Sequence, residues 1–576
     1  MPVDTVVDAT RAELLIQLDD HGEVELLHWP GRNQLMVQVR RAEPLRKLAV
    51  HLRARQFHLV TMVANDEREL EDRSFKIYYL FSHPETDLLL MVEYLLGRGA
   101  DYPSLYEEFE SVDCFEREIR DLFGLVPQQP REAEVKPGSW LHEPYPDGLF
   151  PLRRDRSTTD LEREVAAWRQ DGGNRPSSAS TAAPADAGLL LPVGPVHAGI
   201  IEPGRFLFTI AGEAIENLDI GLGYTHKGIE RLFQAGVHLL DGWMLAEQVS
   251  GDSSFAHGLA YCRAVERLTE TQAPPAAELL RGVFLELERI HNHVADVAAL
   301  AEDVALERLS SDLSIVREEL LRLNKRVAGH RYLRRRCRPG GMVLPAPFDG
   351  RHVRRTLGAC VDRFDEVARH LAGRPGFRDR TIGVGVLTQG QARRLGVTGL
   401  AARASGIPRD YRCDHPAGVY EQAWLDAEAH LRAGPSREPQ AAEAQAGDVY
   451  ARFLTRVLEV RSSHAVIGAI LDQCEELPPT EREHLLDEPR VLPENNYTVA
   501  IGYAEGFRGD IVYWLMQDKL DGVYRCKVRD PSMLNWPGLR QSVVPWDPEG
   551  PRPETVLADF PLVNKSFNLS YSGNDL

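Results

Sequence analysis

Between residues 172 and 186 the chain reads Gly172-Gly173-Asn174-Arg175-Pro176-Ser177-Ser178-Ala179-Ser180-Thr181-Ala182-Ala183-Pro184-Ala185-Asp186, without one large apolar side chain. Such a stretch cannot bury enough surface to offset the entropy of ordering it, so it predicts a flexible linker, drawn here over 157–190. The chain is thereby divided into a domain over 1–156 and a larger one over 191–576. At 576 residues, with 43% hydrophobic side chains, it is long enough and apolar enough to build a core on each side.

The first part alternates short β-rich runs with helical ones. Glu23 to Trp29, Gln34 to Val39, His58 to Val63 and Phe75 to Phe81 read as strands. Asp113 to Gly124 reads as a helix, with Asp113 as cap, Glu116 at the capping-box offset, Gly124 as stop, and Phe115, Ile119, Leu122 and Phe123 on one face. The second part opens on a strand-like run, Arg205 to Ile210, and is then dominated by amphipathic helices. In Leu279 to Leu306 the residues Leu280, Val283, Phe284, Leu287, Ile290 and Val294 recur at spacings of three and four. The fold class expected is α+β: a small α/β module, the linker, then a large mainly helical domain with a small β-rich entry.

Several function classes drop out. A net charge of -19 argues against a nucleic-acid surface, which needs clustered Lys and Arg; the run Arg334-Arg335-Arg336-Cys337-Arg338 reads as a solvated or subunit-facing turn. The seven cysteines (114, 262, 337, 360, 413, 474, 526) have no metal-ligand spacing and suit a reducing cytosol. No uninterrupted apolar run of about 18 residues exists, and Met1-Pro2-Val3-Asp4 lacks a secretory pattern, so a soluble or peripherally attached protein is expected. No Gly-rich nucleotide loop precedes a helix, which leaves direct NADH oxidation by this chain unsupported.

The order of certain motifs is more specific than their physics. Thr225-His226-Lys227-Gly228-Ile229-Glu230-Arg231 precedes Gln248-Val249-Ser250-Gly251-Asp252-Ser253-Ser254-Phe255-Ala256-His257 and Gly258 to Glu266. Colinear with these follow Glu286 to His293, Pro339-Gly340-Gly341, Gly399 to Asp410, Gly447 to Phe453 and Glu505 to Asp510. This series resembles the large subunit of membrane-bound nickel-iron hydrogenases, of the formate hydrogenlyase type, and the quinone-site (49-kDa-class) subunit of complex I. Upstream, Glu116-Arg117-Glu118-Ile119-Arg120-Asp121-Leu122-Phe123-Gly124 and Asp147-Gly148-Leu149-Phe150-Pro151-Leu152-Arg153-Arg154-Asp155 resemble the 30-kDa-class subunit of complex I, a cofactor-free partner of that subunit.

The resemblance implies a site and then alters it. In the hydrogenases the loop carries Cys-x-x-Cys, where this chain has Ser250 and Ser253. A second pair lies in Asp-Pro-Cys-x-x-Cys, where Asn568-Leu569-Ser570-Tyr571-Ser572-Gly573 stands. Serine hydroxyls are hard and stay protonated near neutral pH, so the nickel-iron centre is expected to be absent and no other metal is expected. The related enzymes also carry a C-terminal extension removed on metal insertion, which this chain does not show. The complex I relative reads Gly-Pro-x-His-Pro-x-x-His; His197 matches its first histidine, while Ile201 replaces the one facing the quinone headgroup.

Candidate catalytic residues are therefore Glu230, His226, Asp252 and His257, and candidate headgroup-binding residues are His197, Ser250, Ser253 and Ser570. The spacing of four between His226 and Glu230 predicts a shared helix face. Glu230 matches the hydrogenase glutamate that passes protons; its plain alternative is a pair with a nearby Arg. The resulting expectation is a subunit of a membrane-attached respiratory assembly, coupling electron transfer, with quinone as a possible ligand, to proton or cation movement. A non-catalytic scaffold joining soluble partners to an ion-translocating membrane arm is the other reading. Expected partners are a small iron-sulfur subunit and integral membrane subunits, and the expected location is the cytoplasmic face of the membrane.

Overall fold

The computed structural model describes residues 24–27, 33–70, 72–83, 86–96, 99–128, 140, 146, 148–170, 188–198, 201–422, 443–492, 496–544 and 555–576. Residues 172–186, on which the flexible-linker reading rests, lie outside these. The flanks of the drawn linker are ordered structure and correct its bounds: Thr158–Gln170 is a helix and Leu189–Val193 is a strand.

The first domain is a mixed five-stranded sheet of β1 (Val24–Leu27), β2 (Gln34–Val39), β3 (His58–Glu67), β4 (Ser74–Ser82) and β5 (Leu89–Leu95) in the order β1-β2-β5-β4-β3. The β2/β5 pair is parallel, with Val37 opposite Val92, and the other pairs are antiparallel. Val37, Val39, Ile77, Tyr79 and Phe81 face a core completed by helices α1 (Ala42–Ala54) and α2 (Val112–Phe123). The predicted stop of α2 is observed: Gly124 is left-handed at φ 69°, and a Cβ there would lie 2.4 Å from the Phe150 ring. The predicted cap is not. The helix starts from Ser111, Asp113 pairs with Arg117 at 2.8 Å, and Glu116 turns inward to accept from Ser104 Oγ and Leu105 N. Helix α3 (Thr158–Gln170) follows.

The second domain begins with the antiparallel sheet β6 (Leu189–Val193), β7 (Arg205–Ala211) and β8 (Ala214–Gly221). Next come the short α4 (Ile229–Gln234), α5 (Ser254–Leu268) and the helices α6 (Pro275–Asp303), α7 (Glu307–Ala328), α8 (Gly350–Ala372) and α9 (Val449–Glu476). A three-stranded antiparallel sheet, β9 (Val499–Glu505), β10 (Asp510–Gln517) and β11 (Val523–Arg529), leads to α10 (Pro531–Val543), α11 (Phe560–Phe567) and α12 (Tyr571–Asp575). The apolar stripe of α6 is buried as its spacing requires, from Leu280 to Val294. Glu286 on the same helix is buried too, held by Arg289, Arg412, Ser463 and Tyr420. Buried charge is tolerated only when it is paired in this way.

The two domains do not sit apart. The second face of the first sheet, through Met36, Val63, Tyr78, Leu80 and Met91, packs on Ile501, Val512, Trp514, Met516 and Tyr524 of the second domain. A sheet covered on both faces reads as continuous apolar runs, and Leu88 to Val92 is one. Trp514 is fully buried, its ring 4.9 Å from that of Tyr78 and its Nε1 donating to Met91 sulfur at 3.3 Å.

Candidate functional site at the closed serine cluster

The loop Ser250 to Ser253 is set by α6. Glu288, buried on that helix, accepts from the free N–H groups of Phe255 and Ala256 in the first turn of α5, at 2.7 and 3.0 Å. A carboxylate there satisfies donors that a helix start leaves unpaired. Asn292, one turn on, donates to the Asp252 carbonyl at 2.8 Å. The segment Glu286 to His293 is thus the brace of the loop, and burial pushes the Glu288 carboxyl up to about 8.

Three sequence-predicted residues meet here. Ser250 Oγ lies 2.9 Å from Ser570 Oγ and 2.9 Å from Asp252 Oδ1. Asp252 is gripped by Arg508 through two bonds of 2.8 and 2.7 Å. Burial by itself would raise its pKa, but the Arg508 charge and hydrogen bonds, with Ser250, hold the carboxyl down to about 2. Arg508 also donates to the Asn568 carbonyl, tying the tail to the loop. Ser570 accepts from Gly573 N at 2.9 Å and so caps α12. Ser253 Oγ is buried without a hydrogen-bond partner.

His257 joins from behind. Its Nδ1 is 2.9 Å from Tyr513 Oη and its Nε2 is 3.1 Å from Asp530 Oδ2. Asp530 abuts Gly573, where a Cβ would come within 2.5 Å of its carboxyl carbon. His197 lies at the outer side, 3.2 Å from Tyr571 Oη and edge-on to Phe206, with burial lowering its pKa. Ile201 packs, half-buried, against the main core.

The shared face expected for His226 and Glu230 does not exist. Gly228 is left-handed at φ 68° and α4 begins only at Ile229, so His226 precedes the helix. His226 Nδ1 lies 2.7 Å from the Asp575 carbonyl oxygen, while Lys227 reaches the loop by donating to the carbonyls of Gln248 and Val249. Glu230 points instead to β11: Arg525 at 2.7 Å, Lys527 at 3.1 Å and Val528 N at 3.1 Å. Against the effect of burial, Arg525 and Lys527 hold its pKa below the usual value, and the pair with Arg525 is the plain alternative named for it. Lys527 also binds Glu118 of the first domain, through both oxygens at 2.6 and 2.7 Å.

A nickel-iron centre does not fit this donor set. The positions that the resemblance aligns with its ligands carry three hydroxyls and a glycine, and two of the hydroxyls are in direct contact. At the positions expected to bind a headgroup, Ser250 touches Ser570 and Asp252 pairs with Arg508. Arg508, Asp530, Tyr513 and Lys227 were not singled out in the sequence, although Lys227 and Arg508 fall within quoted motifs, Thr225 to Arg231 and Glu505 to Asp510.

The fold is a large, mainly helical domain with a smaller α/β domain fused ahead of it. Residues 313–547 match the family described as respiratory-chain NADH dehydrogenase, 49 Kd subunit, and residues 37–161 match the corresponding 30 Kd subunit family. The NADH-quinone oxidoreductase subunit 4 of Thermus thermophilus is 30% identical over 372 residues, covering 61% of this chain and 87% of its own. The chain therefore belongs to the 49 Kd subunit family, with a 30 Kd subunit domain in the same polypeptide. Formate hydrogenlyase subunit 5 of Escherichia coli K12 is similar across the whole fused arrangement: 28% identity over 559 residues, 95% of this chain and 90% of that one. Among solved structures, a chain of the membrane-bound sulfane sulfur reductase, an archaeal respiratory membrane complex, shares the fold, with a TM-score of 0.58, 22% identity, and coverage of 68% of this chain and all of that one.

Proposed function

We propose that this chain is a subunit of a membrane-attached respiratory oxidoreductase of the complex I and hydrogenase kind, coupling electron transfer to proton or cation movement without a nickel-iron centre of its own. The observation that carries the reading is the fused two-domain arrangement, similar over 95% of its length to a formate hydrogenlyase subunit; Ser250, Ser253, Ser570 and Gly573, at the positions the motif resemblance aligns with nickel ligands, support the part without nickel. A chain without a redox centre takes part in electron transfer only beside one that has it. A small iron-sulfur subunit is accordingly its proposed neighbour, with integral membrane subunits beyond and the assembly on the cytoplasmic face. Among the described residues no helix is long and apolar enough to cross a membrane, in keeping with a peripheral position. Quinone is the proposed acceptor class.

The test is isolation of the native protein from membranes, identification of the subunits that come with it, and titration with a water-soluble quinone. The reading expects a cluster-bearing subunit, membrane subunits and saturable quinone binding. Co-purification with membrane subunits but no quinone binding would favour the scaffold role, and a lone chain would overturn the assignment.

A further inference from the structure

At the seam between the domains four buried side chains form a charge-balanced set: Glu118 from α2, Glu230 from α4, and Arg525 and Lys527 from β11, each no more than 6% exposed. Their cationic partners are unequal in number. Glu230 accepts from Lys527 and Val528 N and forms a 2.7 Å ion pair with Arg525, so two cations hold it, whereas among the described residues Glu118 pairs with Lys527. A buried carboxylate is kept ionised by the donors and cations around it, so the one with fewer takes up a proton first.

Both carboxylates also line a cavity of about 580 Å³ between the domains. Leu122, Leu152 and Leu161 form apolar wall, and the exposed Glu162, Arg169 and Gln170 of α3 form its outer edge. The cavity gives water a way to Glu118 that the packed second domain does not.

We propose that Glu118, and not Glu230, is the proton-exchanging carboxylate of this chain, loaded and unloaded through the interdomain cavity. On loading, a hydronium ion in the cavity gives its proton to the Glu118 carboxylate and leaves as water. The set goes from neutral to one positive charge, Lys527 stays an ammonium bound to Glu230, and no electron moves. The charged groups facing Glu118 are Lys527, Glu230 and Arg525, and burial with the nearby Glu230 raises its pKa to about 7 against the pull of the two cations. Only the use made of the proton rests on the proposed function; the exchange is a property of the chain alone.

The test is infrared difference titration of the carboxyl band in the purified full-length chain between pH 5 and 9, in H2O and D2O. The difference between the parent and Glu118→Gln is expected to contain a carboxyl component titrating near pH 7, separate from those of other buried carboxyls such as Glu247 and Glu288, and Glu118→Asp should restore it. In Glu230→Gln the band should persist at lower pH, because a repelling carboxylate is gone and Lys527 serves Glu118 alone. Ala166→Trp, which plugs the cavity from its exposed edge, should slow hydrogen-deuterium exchange of the band by at least about tenfold without moving its midpoint. A titration curve unchanged in folded Glu118→Gln, or a Glu118 component that vanishes in Glu230→Gln, would overturn the proposal. So would exchange unaffected by the plug. Failure to find partner subunits or quinone binding would refute the proposed function and leave this result standing.

Discussion

Gly573 offers the sharpest test of how tightly the tail packs on Asp530. In Gly573→Ala the new Cβ would lie 2.5 Å from Asp530 Cγ and Oδ2 and 2.9 Å from Oδ1. Asp530 cannot swing away cheaply, since Oδ1 accepts from Ser532 N at 2.7 Å as the cap of α10 and Oδ2 meets His257 at 3.1 Å. Overpacking of this kind costs about 1–3 kcal/mol, and loss of the cap adds about 1 kcal/mol. For a chain of 576 residues the total of about 2–4 kcal/mol lowers the melting temperature by roughly 2–3 °C. Differential scanning fluorimetry would read this against Gly376→Ala, a helical glycine with nothing within 4 Å of its Cβ, which should be neutral or gain up to about 1 kcal/mol. The double variant Gly573→Ala with Asp530→Ala should be less destabilised than the two single losses added together, because the clash is gone. A Gly573→Ala protein as stable as the parent, or strict additivity in the double variant, would refute the reasoning.

Other outcomes follow from the same contacts. Glu286 is fully buried, and although burial opposes it, Arg289, Arg412 and two hydroxyl donors hold its carboxyl down to about 2 from an ordinary 4.5. Since the folded pKa is the lower one, its stabilisation is present above about pH 4.5 and lost as pH falls toward 2, amounting to about 3 kcal/mol; acid unfolding of Glu286→Gln should lack this component. Trp514→Ala should cost about 3–5 kcal/mol and detach the first domain, visible as faster limited proteolysis between the domains. Unchanged proteolysis would mean that the sheet-on-sheet core does not hold them together.

Much of the fold was legible because its signals are local. Strand β2 has the predicted bounds, and the three-and-four spacing of α6 placed its buried stripe. Strand β5 was missed because Leu88-Leu89-Leu90-Met91 does not alternate. That same run was the sign that the sheet is covered on both faces, and so that the linker joins packed domains. The site was legible as a set of positions and not as a geometry. A spacing of four implies a shared face only inside a helix, and Gly228 starts α4 too late for His226. Glu118 reads in sequence as one residue of an amphipathic helix; its partner Lys527 is 409 positions away, beyond the reach of any periodicity.

Metal analysis of the native assembly tests the central claim most directly, because the proposal gives Ser250, Ser253, Ser570 and Gly573 the places of nickel ligands. Iron from a neighbouring cluster subunit complicates an iron count, so nickel is the element to measure, per mole of this chain, in protein grown with ample nickel. The account predicts no stoichiometric nickel in an assembly that retains electron-transfer activity. Stoichiometric nickel that follows this chain through separation of the subunits would contradict it.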